Sequence, residues 1–148
     1  MPTPHRYILI VEGFVLRDDQ YLTIIRSDDE DFLPGILAIP GGKVEVEGEH
    51  DHVLEETLRR EIREETGIEV EQAMTYVEST SFTYKDNQTV VGVVFLCRYK
   101  SGELTILDPS EVAGLEWMSA GQLLAHPNLQ PWTRRSLLRA EAIRNATV

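Results

Sequence analysis

Cysteine occurs once in the 148 residues, at Cys97, so an intrachain disulfide is excluded and the chain suits a reducing compartment. No apolar run reaches bilayer length, which excludes a helical membrane span. The nearest approach, YILIVEGFVL from Tyr7 to Leu16, is too short, is interrupted by Glu12 and has no small-residue cleavage site after it. It reads as the first strand of a protein expected in the cytoplasm. Basic residues are few: 14 Lys and Arg stand against 25 Asp and Glu, for a net charge of −11. With no basic stripe to offset phosphate repulsion, a nucleic-acid polymer is excluded as partner. Repeats, linkers and low-complexity tracts are also absent. What remains is a chain with 42% apolar and 26% charged residues, read as one domain over 1–148 that is large enough to bury its own core.

Strand signals run from Tyr7 to Leu16, Gln20 to Ile25, Ile36 to Ile39, Glu69 to Thr83, Val90 to Tyr99 and Leu115 to Met118. The Asp18-Asp19 and Lys85-Asp86-Asn87 turns predict two hairpins. Helices are expected from Asp51 to Thr66, Ser119 to Leu124 and Pro131 to Ala142, the last opening on a proline suited to a first helical turn. Its packing face is assigned to Leu137, Leu138, Ala140 and Ile143, and Asn145 to Val148 are expected to fray. Strands around a central helix, with a second helix at the end, give an α/β sandwich.

The stretch REIREETGI, Arg60 to Ile68, carries the chemistry. At about 100° per residue, Glu65 lies roughly 40° to one side of Glu61 and Glu64 roughly 60° to the other, so three carboxylates share one helix face. Leu54, Leu58 and Ile62 occupy the adjoining arc, which puts the carboxylates at the margin of the buried stripe. Arg59 and Arg63 point away. Arg60 flanks the acids, where a guanidinium can orient a carboxylate. Hard oxygen donors in this number suit Mg²⁺ or Mn²⁺. An ordinary solvated helix has similar Glu and Arg spacing. The surroundings separate the two readings: Pro40, then Gly41-Gly42-Lys43, an acidic loop, the helix, and Gly67 as its stop.

This constellation resembles the Nudix hydrolases, whose signature is G x5 E x7 R E U x E E x G U, with U aliphatic. Arg60, Glu61, Ile62, Glu64, Glu65, Gly67 and Ile68 match every fixed position of its second half. The first half departs from it: six residues, not five, separate Gly42 from Glu49, and ten, not seven, separate Glu49 from Arg60. The excess predicts a lengthened loop and an added N-terminal helical turn with the metal-binding turns in register, and leaves Glu47 and Glu49 as rivals for the early Glu. Glu111, six residues before Trp117, is similar to a late catalytic or metal-binding Glu of many members.

The resemblance implies an α/β/α sandwich around a mixed central sheet and a metal-dependent pyrophosphohydrolase. Its substrate would be a nucleoside diphosphate derivative, with a nucleoside triphosphate giving monophosphate and pyrophosphate as the leading choice. Mg²⁺ or Mn²⁺ would be held by Glu61, Glu64, Glu65 and the carbonyl near Gly42. Glu61 or Glu111 would be the general base, Arg60 would orient a carboxylate, and Lys43 would contact phosphate. Strict metal dependence also follows from charge, because a polyphosphate facing several carboxylates needs cations between them. Tyr84, sixteen residues past Ile68, fits a dinucleoside polyphosphate subgroup, which is the runner-up substrate class. A nucleotide sensor without turnover and an isoprenoid diphosphate isomerase using Cys97 are the other classes. A homodimer is compatible with all of them. Phe32, Phe82, Tyr84 and Trp132 are candidates to stack on a base, with Trp117 assigned to the core. His50 and His52 are read as exposed loop residues and His126 as structural.

Overall fold

The computed structural model describes residues 4–31 and 33–146; Phe32 and the last two residues, and the readings placed on them, lie outside the described residues. Eight strands form one mixed sheet. Its centre is the parallel pair of β1 (Tyr7–Arg17) and β7 (Thr89–Ser101), in register from Tyr7↔Thr89 to Leu16↔Arg98. The Asp18-Asp19 turn closes the hairpin to β2 (Gln20–Arg26), which pairs on its other side with β8 (Val112–Ser119). β6 (Thr75–Thr83) joins β7 through a short 3₁₀ turn at Lys85–Asn87. Both predicted hairpins are present.

Two small strands position the site, one within the stretch expected from Ile36 to Ile39 and one not expected. Beyond the hairpin end, β1 and β2 part and each takes a different piece of the segment that follows. β3 (Leu37–Ala38) pairs with β2, and β4 (Gly41–Lys43) pairs with β1 through Glu12↔Gly41, Val11↔Gly42 and Ile10↔Lys43. Pro40 divides them because it has no amide hydrogen to give a ladder, while its carbonyl accepts from Gly13 N at 3.0 Å. The glycine pair is therefore pinned at the point where the sheet splits.

Helices cover both faces. α1 (Val53–Thr66) buries Leu58 and Ile62 against Val11, Val15, Leu22 and Cys97. It lies close because Gly13 has no side chain: a Cβ there would stand 3.0 Å from Leu58 Cδ2 and 3.1 Å from Cys97 Sγ. On the other face, α3 (Pro131–Ala146) packs Leu137 and Ala140 onto Phe14, Leu16, Tyr21 and Val94, beside the short α2 (Ala120–Ala125). Cys97 is buried, and Trp117 packs at the edge of the α1-side core.

Several boundaries differ from expectation. The strand expected from Glu69 to Thr83 is two, β5 (Glu69–Val70) and β6, because the chain bulges outward between them, where Arg59 Nη2 of α1 holds the Gln72 carbonyl at 3.1 Å. α1 opens at Val53, so the inserted residues up to His52 remain loop and add no helical turn. Leu138 is 50% exposed, since it lies about 100° around α3 from Leu137. α3 continues to Ala146, so Asn145 is helical.

Candidate functional site

The acidic margin of α1 faces the glycine pair. The helix ends where Gly67 takes a left-handed conformation, φ 77°, and its amide bonds the Arg63 carbonyl at 2.9 Å. Two residues earlier, Glu65 Oε1 accepts from the Gly41 amide at 3.1 Å. Glu61 lies flat against Gly42: a Cβ on that glycine would fall 2.5 Å from the Glu61 carboxyl carbon and 2.8 Å from Oε2. Gly41 is equally constrained, since its Cβ would lie 2.2 Å from the Val11 carbonyl oxygen. Only glycines let this backbone approach the two carboxylates so closely.

Arg60 and Arg26 are the cations nearest the acids. Arg60 Nη2 stands 3.4 Å from Glu61 Oε1, and its Nε stands 3.9 Å from Glu64 Oε1. Glu64 is more exposed than Glu61, its side chain 60% accessible against 22%. Glu111 arrives from the other end of the chain. A register shift at Ile25/Arg26 lets the Ser27 amide bond the Glu111 carbonyl at 2.9 Å, which turns the residue before β8 toward α1.

The resulting electrostatics are strained. Desolvation pushes the Glu65 pKa up to about 8, opposed by the Gly41 amide and Arg26 and reinforced by Glu61 and Glu111. Glu61 is raised first by desolvation and then by Glu64 and Glu111, with Arg60 pulling the other way. Glu111 is raised by desolvation and by Asp108, Glu30 and Glu64, with Arg26 opposing. Four carboxylates thus crowd one another, with Arg60 against two of them and Arg26, ion-paired with Glu30 at 3.1 Å, nearby.

Among the described residues, no group of three His, Cys, Asp or Glu side chains is arranged as a ready cage for a metal ion. The reason is visible in the contacts: Glu65 is held by Gly41, Glu61 by Arg60, and Glu64 turns outward. The donor set nevertheless fits a hard divalent cation, because carboxylate oxygens are its preferred ligands and a cation would relieve their mutual repulsion.

The other residues singled out in the sequence are scattered. Lys43 is exposed at the end of β4, beside Ile10 of β1. Tyr84 sits past the end of β6 with Lys85 Nζ 5.5 Å from its ring centroid. By strand register that is six residues along β1 from Glu12, about 20 Å. Glu47 and Glu49 both lie in the exposed loop. His50 Nε2 contacts the Glu47 carbonyl at 2.8 Å, His52 is exposed near Glu55, and His126 Nδ1 accepts from the Asn128 amide. Phe82 and Trp132 are exposed. A cavity of about 550 Å³ opens between the inserted loop and the outer flank of α1, where Arg59, Arg60 and Arg63 line it with Glu47 and Asp51. It touches the acidic face only at Arg60 and is the wrong side of the helix for Gly42 and Glu65. Cys97 lies in the core, its pKa pushed to about 12 by burial, which leaves no thiolate for catalysis.

Two charged residues were missed in the sequence. Arg26, ion-paired with Glu30 at 3.1 Å, lies near enough to oppose the raised pKa values of Glu12, Glu65 and Glu111. Glu12 is partly buried in the middle of β1, and desolvation raises its pKa to about 7 with Arg26 opposing. The one available signal is a lone acid inside an otherwise apolar strand.

Comparison with known proteins agrees with this geometry. Residues 7–140 match the NUDIX domain family. A MutT-like protein of Streptomyces ambofaciens is 32% identical over 123 residues, covering 82% of this chain and 70% of that protein. The nucleoside triphosphatase NudI of Escherichia coli strain K12 is 41% identical over 78 residues, covering 53% of this chain and 50% of that protein, so the match spans only half of NudI. The crystal structure of a MutT NUDIX hydrolase from Burkholderia pseudomallei superposes with a TM-score of 0.75 at 27% identity, covering 91% of this chain and 98% of that one. The glycine pair against Glu61 and Glu65, the family match along nearly the whole chain and the shared fold lead to one conclusion: the chain belongs to the NUDIX family, hydrolases of pyrophosphate bonds.

Proposed function

We propose that this hydrolase cleaves a nucleoside triphosphate, ribo or deoxyribo, to monophosphate and pyrophosphate. The observation that carries the reading is the packing of Glu61 on Gly42, with Glu65 on Gly41, which brings the carboxylates against the glycine backbone beside the split in the sheet. The relatives named MutT-like protein and nucleoside triphosphatase NudI support the substrate class.

Mg²⁺ or Mn²⁺ held by Glu61, Glu64, Glu65 and the Gly42 carbonyl would screen the phosphate charge and acidify a water. Glu61 or Glu111 takes the proton from that water, a role suited to carboxylates whose pKa is raised toward neutrality. The water oxygen bonds to the α-phosphorus as the bridging P–O bond to the β-phosphate breaks, and pyrophosphate leaves. Arg60 holds Glu61 and Glu64 in place for this step. Lys43, exposed at the end of the glycine strand, is free to meet a phosphate oxygen.

The test is a panel of ribo- and deoxyribonucleoside triphosphates with Mg²⁺ or EDTA in ¹⁸O-labelled water. Monophosphate carrying the label, formed only with metal, is the expected result. Label in pyrophosphate would mean attack at the β-phosphorus, and turnover confined to dinucleoside polyphosphates would move the substrate class to the runner-up.

A further inference from the structure

The sheet face that carries α3 also carries a carboxylate the proposed mechanism does not use. Along β1, Val11, Gly13 and Val15 face α1, whereas Phe14 and Leu16 pack on the α3 side. Alternation therefore turns Glu12 away from α1, on the opposite side of the sheet from Glu61 and Glu65. Glu12 pairs with Val94; one step along, Ile10 pairs with Gly92, and Gly92 with Thr80 of β6. α3 covers this face as far as Val94 and Glu78, the latter hydrogen-bonded by Ser136, while Thr80 and Phe82 beyond are exposed. Glu12 stands where the covered core gives way to an open floor. At Gly92 the floor has no side chain, although a Cβ there would meet Ile10 and Thr80 only at ordinary contact distances of 3.4 to 3.8 Å. Packing does not demand that glycine, and its effect is to leave room above the sheet.

Three features single out Glu12. Its carboxylate makes no hydrogen bond and no ion pair among the described residues, although it is partly buried. Its stem lies against the glycine pair, since a Cβ on Gly41 would fall 2.9 Å from Glu12 Cγ, and the same Gly41 amide is bonded to Glu65. Arg26, the nearby cation, is ion-paired with Glu30 at 3.1 Å and makes no ion pair with Glu12. The carboxylate oxygens keep some contact with water, yet a charge partly withdrawn without donors costs stability that an apolar residue in the same strand would not cost. The position is thus unfavourable for stability and adjacent to the proposed site of hydrolysis.

We propose that Glu12 is a specificity-determining residue: its carboxylate accepts hydrogen bonds from two adjacent neutral donors on the nucleoside part of the substrate. This rests on the nucleotide reading above. Neutral donors are required because a carboxylate repels the phosphates and a nucleoside triphosphate carries no cationic group. Two such pairs match the spacing of two carboxylate oxygens, the 2′,3′-diol of ribose and the N1–H and 2-amino edge of guanine. A site built on such bonds discriminates against analogues lacking the donors, because the buried acceptor is then left unpaired.

The experiment compares GTP, dGTP and ATP, each with Mg²⁺, in the wild type and in Glu12→Gln, reading kcat/KM by turnover and Kd by calorimetry. A diol reader favours GTP over dGTP by tenfold or more; a base-edge reader favours GTP over ATP by the same margin. Glu12→Gln, which is isosteric and keeps only one acceptor, should bring the preferred ratio to within about threefold while the Mg²⁺ concentration for half-maximal rate stays unchanged. No preference in the wild type, or the same preference in the variant, overturns the inference. So does an equal loss on all three nucleotides with a higher Mg²⁺ requirement, which would make Glu12 part of the metal site. Absence of turnover by the wild type on every nucleotide would count against the hydrolytic reading alone, and the Kd ratios would still decide the role of Glu12.

Discussion

The two faces of the sheet use charge in opposite ways. On the α3 side, Glu12 apart, the partly buried acids have partners: Tyr21 and Arg144 both bond Glu141, with Asp19 on the same guanidinium, and Glu78 is bonded by Ser136 and Arg139. On the α1 side, Glu61, Glu64, Glu65 and Glu111 outnumber Arg60 and Arg26, and burial and repulsion raise three of them. Matched acids clamp a helix. Unmatched acids destabilise the fold unless a cation offsets them, as the proposed metal site would, whereas a structural ion-pair network built from the same residue types is already neutralised.

The largest expected effect breaks the unmatched side. Glu64→Gln and Glu65→Gln should each lower Mg²⁺-dependent turnover at least about a hundredfold while leaving the fold intact, because each removes ligand charge at the edge of the core. Near-full activity in either would sink the metal assignment. Glu111→Gln should reduce kcat far more than KM, the sign of an interaction made mainly in the transition state. An unchanged kcat would leave Glu111 a surface residue.

A second contrast appears in the pH dependence of stability. The Glu65 pKa of the folded protein is about 8 against an ordinary 4.5, so between those values the folded state holds a proton that the unfolded chain has released. Its contribution is fully present below about pH 4.5 and is lost as pH rises through 8. The groups acting on it are the Gly41 amide from β4, Glu61 from α1, Glu111 ahead of β8 and Arg26 from β2. Thermal melts in EDTA should therefore fall from pH 5 to 8.5, less steeply in Glu65→Gln and less steeply again when Mg²⁺ is added to the wild type. An identical slope in Glu65→Gln would contradict the raised pKa.

On the matched side the sign reverses. Tyr21→Phe removes a hydrogen bond to a charged acceptor and should destabilise the protein by about 1–2 kcal/mol in urea unfolding, with kcat/KM within twofold of wild type. A large loss of activity without loss of stability would mean that α3 takes part in turnover.

How much of this was legible in the sequence follows the same division. The carboxylate ridge, Gly67 as a stop, both hairpins and the start of α3 at Pro131 are set by residues close in the chain, where period and turn chemistry act. The parting of β1 and β2, the roles of Arg26 and Glu12, and the bulge held by Arg59 depend on partners far away in the chain, and neither spacing nor composition encodes such pairing. Leu138 shows the same limit in small: an apolar residue in a helix is assigned to the core until its angle to Leu137 is counted.

The smallest expected effect concerns the one stretch where the chain departs from the family signature. Residues 48–52 are exposed loop, His52 is left-handed with no side-chain cap on α1, and the carboxylates take their positions from the helix and from Gly41 and Gly42. Deleting His50 to His52 restores the family spacing from Glu49 to Arg60 and removes the carbonyl that receives the Glu56 amide, a single first-turn bond. The ridge should keep its register, because Glu61, Glu64 and Glu65 stay fixed relative to one another within the helix. The half-saturating Mg²⁺ concentration and kcat/KM should therefore stay within about threefold, with a small drop in Tm. If a folded deletion variant lost its response to Mg²⁺, the loop itself would be building the site, and the line between the unmatched face of α1 and its surroundings would have to be redrawn to include the cavity that the loop encloses.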